Sequence, residues 1–147
     1  MCDDMVRVMA TGVFDLIHTG HISYLQQARS MGDELVVVVA CDDTVRRNKH
    51  EPITPDTMRV RIVESLKPVD IAVIGKHRDM FNTVRELDPD IIVLGFDQNF
   101  NEVELRESLK KEGLDHIQVI RATEYSDDLT ATRKIISRIR ELERCDR

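Results

Sequence analysis

Ala10-Thr11-Gly12-Val13-Phe14-Asp15-Leu16-Ile17-His18-Thr19-Gly20-His21 joins two stretches of different period. Ahead of it, Met5-Val6-Arg7-Val8-Met9 is a short apolar run. Behind it, Ile22, Leu25 and Ala28 recur at helical spacing through residue 31. The quoted stretch is therefore read as the turn from a first strand into a first helix. His18 and His21 stand at the mouth of that helix, on one face, with Cβ atoms roughly 5–6 Å apart once its first turn forms. The unpaired amides of that turn and a helix dipole worth roughly half a positive charge point at the same spot, which suits a polyphosphate. Gly20 removes a side chain between the histidines, and Gly12 permits close backbone approach or a positive φ.

A His-x-x-His pair on its own also fits plain surface decoration. Its place at the end of the first strand, behind Gly12-Val13-Phe14-Asp15, is what points to chemistry. A zinc centre is disfavoured, because His50, His77 and His116 are scattered and no Cys-x-x-Cys accompanies them. No metal-ligand set is expected from the protein itself.

Gly12-x-Phe14-Asp15 followed by His18-x-Gly20-His21 resembles the signature of the cytidylyltransferase-like nucleotidyltransferase superfamily, in this form and at this junction. The resemblance implies a Rossmann-like, doubly wound α/β fold of the HIGH-superfamily type.

The composition agrees with such a fold. A chain of 147 residues suits one domain over residues 1–147. At that size about 68–70% of the extended-chain surface is buried on folding, enough for a real core. With a net charge of −6, a broad nucleic-acid or membrane surface is not expected, and basic residues must act locally. Cys2, Cys41 and Cys145 share no close spacing, which argues for reduced thiols and a cytoplasmic setting. No signal peptide or membrane span is evident.

Strand and helix patterns alternate along the whole chain. Residues 34–40 form a continuous β-branched run, as in a strand buried on both faces, and residues 71–74, 91–94 and 117–120 follow suit. Helical patterns fall roughly at residues 55–66, 78–87, 103–112 and 131–142, with Gly32 and Gly113 as candidate C-terminal caps and Thr54-Pro55 as a helix start. Five such alternations predict a five-stranded parallel sheet with helices on both faces. Ligands of such sheets bind outside the carboxyl ends of the strands, where the strand order reverses. The informative residues should therefore follow the strands.

After the second strand, Arg46, Arg47 and Lys49 are expected in a loop. The resemblance implies a mobile loop whose lysine reaches over the triphosphate, matched here by Lys49; solvated surface is the alternative. Arg59, with Arg61 on the adjacent face as rival, matches the family's helix-opening arginine ahead of Val69-Asp70, and an ion pair is the competing reading. Gly95 and Asp97, in Leu94-Gly95-Phe96-Asp97-Gln98, match a family Gly-x-Asp used in nucleoside binding; capping of the next helix would also suit Asp97. In the segment from Arg121 through Tyr125 to Thr130-Ala131-Thr132, the resemblance implies an arginine and hydroxyls that meet phosphate at the last helix start. A helix N-cap is the alternative for the threonines.

Nucleotidyl transfer to a phosphate monoester needs no strong base, because the attacking oxygen is already anionic at neutral pH. Positioning and charge stabilisation dominate such chemistry. In this reading His18, His21, Lys49 and Arg121 are catalytic. Thr11, Gly12, Val13, Phe14, Asp15, Gly20, Arg59, Gly95, Asp97, Tyr125, Thr130 and Thr132 form the nucleotide site. Asp15 is also a candidate to orient a histidine or the metal, and Mg²⁺ or another divalent cation arrives with ATP, held mainly by phosphates and water.

Residues 33–40, 66–70 and 87–98 look most like the archaeal-type FAD synthase family, which implies transfer of AMP from ATP to FMN and a homodimer. Cytidylyl or adenylyl transfer to glycerol 3-phosphate or a heptose phosphate is the alternative within the superfamily. A nucleotide-binding sensor without turnover is the alternative from another class. A redox Rossmann enzyme fits poorly, since Gly-x-Gly-x-x-Gly is missing after the first strand.

Overall fold

The computed structural model describes residues 4–48, 50–76, 79–125, 129 and 131–145. Its strands are β1 (Arg7–Gly12), β2 (Glu34–Val39), β3 (Ile71–Ile74), β4 (Ile91–Leu94) and β5 (Gln118–Arg121). Its helices are α1 (Thr19–Ser30), α2 (Asp42–Asn48), α3 (Asp56–Glu64), α4 (Met80–Leu87), α5 (Glu102–Lys111) and α6 (Thr132–Cys145). All strand pairs are parallel, in the order β3-β2-β1-β4-β5. The expected doubly wound sheet is thus present, with the order reversing between β1 and β4.

Side chains alternate across each strand, so one strand feeds two cores. Val8, Ala10, Leu35, Val37 and Val93 pack with Tyr24, Leu25 and Ala28 of α1 and Val63 of α3. Met9, Val38, Ile92 and Leu94 pack on the other face with Val84 of α4 and Leu105 and Leu109 of α5. Each fully buried Leu or Val stabilises the sheet by about 1.5–3 kcal/mol relative to exposure. Among the described residues no helix is long and apolar enough to cross a membrane.

Several local expectations need correction. The segment carrying Arg46 and Arg47 is the helix α2, not a loop, with Arg46 paired to Asp43 and Glu51 on its surface. Gly113 (φ +75) does follow the C-cap of α5, but Gly32 has no positive φ. A Cβ at Gly32 would meet the Val6 carbonyl oxygen at 2.7 Å, so close packing explains that glycine. Gly12 likewise makes room for the Phe14 ring, 2.9 Å from an ideal Cβ, and takes no positive φ. Pro55 is the N-cap of α3 rather than its first helical residue.

Candidate active site

The histidine pair builds the start of α1. His18 is the N-cap: its Nδ1 accepts from the Gly20 amide at 3.1 Å, and His21 Nδ1 accepts from the His18 amide at 3.2 Å. Two imidazoles thus form the reciprocal cap that Ser and Glu usually provide. An Nδ1 that accepts an amide hydrogen cannot carry a proton, so each neutral ring holds its hydrogen on Nε2. The ring centroids lie 3.8 Å apart, and both Nε2–H groups belong to the helix N-terminal end, where the dipole favours an anion. Burial lowers the His18 pKa below the ordinary imidazole value, and the nearby Asp97 charge partly opposes that shift.

Upstream lies a strained turn. Phe14 (φ 57) and Leu16 (φ 58) both adopt the left-handed region without being glycine. Such residues cost about 1–3 kcal/mol each and persist only where surrounding contacts hold them. The buried Phe14 ring backs the pair, at 5.4 Å from the His21 ring and stacked on Tyr24 at 6.5 Å. Asp15, buried between the two strained residues, accepts from the Ile53 amide (2.6 Å), the Thr54 amide (3.1 Å) and Thr54 Oγ1 (2.7 Å). Its carboxylate therefore braces the turn to the start of α3. Arg59 is held likewise. It is 1% exposed, and its guanidinium donates to the carbonyls of Val13 (2.7 Å), Ala40 (2.9 Å) and Thr54 (2.9 Å) and to Asp42 (2.6 Å). These donors hold protein, not phosphate. Thr132, the first residue of α6, donates its hydroxyl to the Asp15 carbonyl at 2.7 Å and so brings that helix start beside the turn.

The third feature is the crevice at the switch point. Register pairs Val8, Met9 and Ala10 of β1 with β4, whereas β1 stays paired to β2 as far as Gly12. Beyond Ala10 the strands β1 and β4 part. The Tyr24 hydroxyl fills the gap, donating to the Val93 carbonyl at 2.6 Å and accepting from the Thr11 amide at 3.1 Å; burial pushes its pKa up. Gln98 forms a second bridge: Nε2 donates to the Thr11 carbonyl at 2.8 Å, while Oε1 accepts from the Gly95 amide at 2.8 Å. The turn over residues 95–98 is thereby sewn to β1, with the exposed Asp97 at its tip. Neither Tyr24 nor Gln98 was singled out from the sequence. The available signal for Tyr24 was a hydroxyl on the apolar face of a helix, where it must find a buried partner.

Arg121 stands at the end of β5. Its Nε donates to Glu102 at 2.8 Å, and Nη1 donates to the carbonyls of Gly95 and Gln98, each at 2.9 Å. Nη2 completes the set with Phe100 and Glu102. The guanidinium thus shapes the loop after β4, and it holds the Glu102 carboxyl below the usual carboxylate range.

Thr11 and Gly12 end β1, Val13 follows them, Gly20 lies in the first turn of α1, Gly95 and Asp97 lie in the turn after β4, and Tyr125 is exposed beyond β5. Lys49 and Thr130 lie outside the described residues. Among the described residues no group of three or more His, Cys, Asp or Glu could hold a metal ion.

With this geometry established, comparison places the chain. A Cytidylyltransferase-like family model matches residues 9–141. The chain belongs to this family. Its relatives include the FAD synthase of Aciduliprofundum boonei, 57% identical over 136 residues that make up 92% of this chain and 91% of that protein. The FAD synthase of Thermoplasma acidophilum is 48% identical over 138 residues, 94% of this chain and 96% of that one. Among solved structures, a lipopolysaccharide core biosynthesis protein from Thermoplasma volcanium superposes with a TM-score of 0.81 at 48% identity, covering 83% of this chain and 99% of that chain. As a member of this family the chain is a nucleotidyltransferase.

Proposed function

We propose that the chain is an FMN adenylyltransferase, joining AMP from ATP to FMN to give FAD and pyrophosphate. The observation that carries the mechanism is the reciprocal histidine cap, which holds two Nε2–H donors at a helix N-terminus beside the β1/β4 crevice. An FMN phosphate oxygen attacks the α-phosphorus of ATP, a new P–O bond forms, and the bond from α-phosphorus to the bridging oxygen breaks. His18 and His21 donate to the α-phosphate and bridging oxygens, stabilising charge that grows in the transition state. Lys49 closes over the β- and γ-phosphates. Thr11, Gly12, Val13, Phe14 and Gly20 offer backbone and shape to the nucleotide. Gly95 and Asp97 meet the ribose, Tyr125 lies along the nucleoside side, Thr132 presents the start of α6 to phosphate, and Thr130 is the other candidate phosphate contact. Mg²⁺ enters as the Mg–ATP substrate, so chelation with EDTA abolishes transfer and added Mg²⁺ restores it.

In this reading the chain acts as one domain over residues 1–147, in the cytoplasm with reduced thiols, and as a homodimer. Exposed Met58 and Ile62 on α3 and Ile139 and Leu142 on α6 offer apolar area for such pairing.

The test is incubation of the protein with Mg²⁺ and FMN, with ATP or CTP in parallel, following dinucleotide and pyrophosphate by chromatography. ATP-dependent FAD formation is the expected result. The likeness to the lipopolysaccharide core biosynthesis protein supports one second reading, transfer to a sugar phosphate. Product from a heptose phosphate or glycerol 3-phosphate, with none from FMN, would replace the flavin by that acceptor. Tight nucleotide binding without pyrophosphate from any acceptor would make the chain a sensor.

A further inference from the structure

The strained turn before the histidines is closed into a ring. Arg59 Nη1 donates to the Val13 carbonyl at 2.7 Å, and Arg59 Nε donates to the Thr54 carbonyl at 2.9 Å. The Thr54 hydroxyl and amide both donate to Asp15 Oδ1, at 2.7 and 3.1 Å. The backbone from Val13 through Phe14 to Asp15 completes the circle. Asp15 and Arg59 are two of the three buried polar or charged residues among those described, and Thr54 stands between their opposite charges. Phe14, the residue encircled, takes φ 57 and packs its ring against His21 at 5.4 Å.

We propose that Thr54 is a positioning residue for nucleotidyl transfer. It links Asp15 to Arg59, fixes the Phe14 ring through the turn, and so holds His21 where its Nδ1 caps α1 and its Nε2 faces the reacting phosphate. The proposal rests on the preceding reading of the histidine pair as catalytic. Its physical basis is that a strained backbone keeps its shape only when neighbouring contacts over-determine it. Removing the hydroxyl leaves Asp15 Oδ1 with the Thr54 amide alone, while Oδ2 keeps the Ile53 amide, and the turn relaxes toward ordinary φ values. A shift of about 1 Å at the reacting groups lowers turnover by about a hundredfold.

The variants are Thr54→Val, which keeps the shape and loses the donor, and Thr54→Ser, which restores the hydroxyl. In Thr54→Val, kcat for FAD formation is expected to fall roughly ten- to a hundredfold while KM for ATP stays within about twofold. The imidazole ¹⁵N resonances of His18 and His21, assigned with His→Gln variants and read in the ligand-free protein, should move in Thr54→Val. Thr54→Ser should return both kcat and resonances toward wild type. If Thr54→Val fails to fold, Arg59→Lys, which keeps the charge but cannot reach the Val13 and Thr54 carbonyls together, must give the same signature. Unchanged kcat and resonances in the folded variant overturn the proposal, as does a raised KM for ATP with kcat intact, which would place Thr54 in contact with the nucleotide. The resonances need no substrate. Absence of FAD from the wild-type protein would therefore defeat the functional reading while leaving this test of the brace in force.

Discussion

Tyr24→Phe removes a single oxygen from the place where β1 and β4 part, and the structure sets the size of its effect. The ring remains, so its packing on Phe14 and the α1 core is kept. The hydroxyl's donated bond to the Val93 carbonyl (2.6 Å) and its accepted bond from the Thr11 amide (3.1 Å) are lost. Both backbone groups face the splayed interior, and Tyr24 itself is buried. A buried backbone group left without its partner costs about 1–3 kcal/mol. Two such groups, relieved in part by closer approach of the strands, give an expected loss of about 2–4 kcal/mol, or roughly 6–12 °C in Tm for a domain of this size. Urea unfolding should show a lower midpoint at unchanged m, the mark of a stability change without a change in exposed area. Turnover should fall as well, because the same hydroxyl holds Thr11 at the edge of the crevice. A loss below about 1 kcal/mol would refute the reasoning, since either the two groups are not desolvated or they find other partners.

The remaining predictions address the cap, the charge around it and the packing. His18→Asn retains a good N-cap residue, so stability should stay within about 0.5 kcal/mol while transfer falls by about 10²–10³; His21→Ala should abolish transfer in a protein that still gives the native circular dichroism spectrum. Equal turnover in either variant would remove the pair from the mechanism. Because burial lowers the His18 pKa, the unfolded chain binds the extra proton first, so His18 contributes stability that is full above the ordinary value of 6.5 and is lost as pH falls through its lowered folded value. An NMR titration should find its midpoint below 6.5, and Asp97→Asn should lower it further, because Asp97 acts to raise it. Gly32→Ala forces a Cβ toward the Val6 carbonyl, at 2.7 Å, and should cost about 1–3 kcal/mol by chemical denaturation while kcat per folded molecule stays unchanged.

The features readable from sequence were those set by period and by local chemistry. The apolar run over residues 34–40 could only be a strand buried on both faces, and the spacing of Ile22, Leu25 and Ala28 fixed the helix behind His18. That helix, directly behind the apolar run over residues 5–9, places the histidine pair at a strand's carboxyl end, and this is where the candidate site was sought before any coordinates. What escaped was every bond that depends on long sequence separation. Arg59, Arg121 and Asp15 have the side chains of phosphate, phosphate and metal contacts, and nothing local distinguishes those roles from bracing. The difference is burial. Arg59 is enclosed by the carbonyls of Val13, Ala40 and Thr54, which are brought together only when β1, β2 and α3 assemble. A guanidinium saturated in this way holds backbone shape, and Arg121 does the same through the carbonyls of Gly95 and Gln98. Both guanidiniums thus act as braces in the walls formed by the segments after β1, β2 and β4. The mechanism proposed above assigns stabilisation of the transferring phosphate to the histidine donors, the start of α1 and the cation carried by the nucleotide. It follows that truncating Arg59 or Arg121 should disturb the geometry of the walls and lower kcat and stability together. Loss of a His18 or His21 Nε2 donor should lower kcat alone.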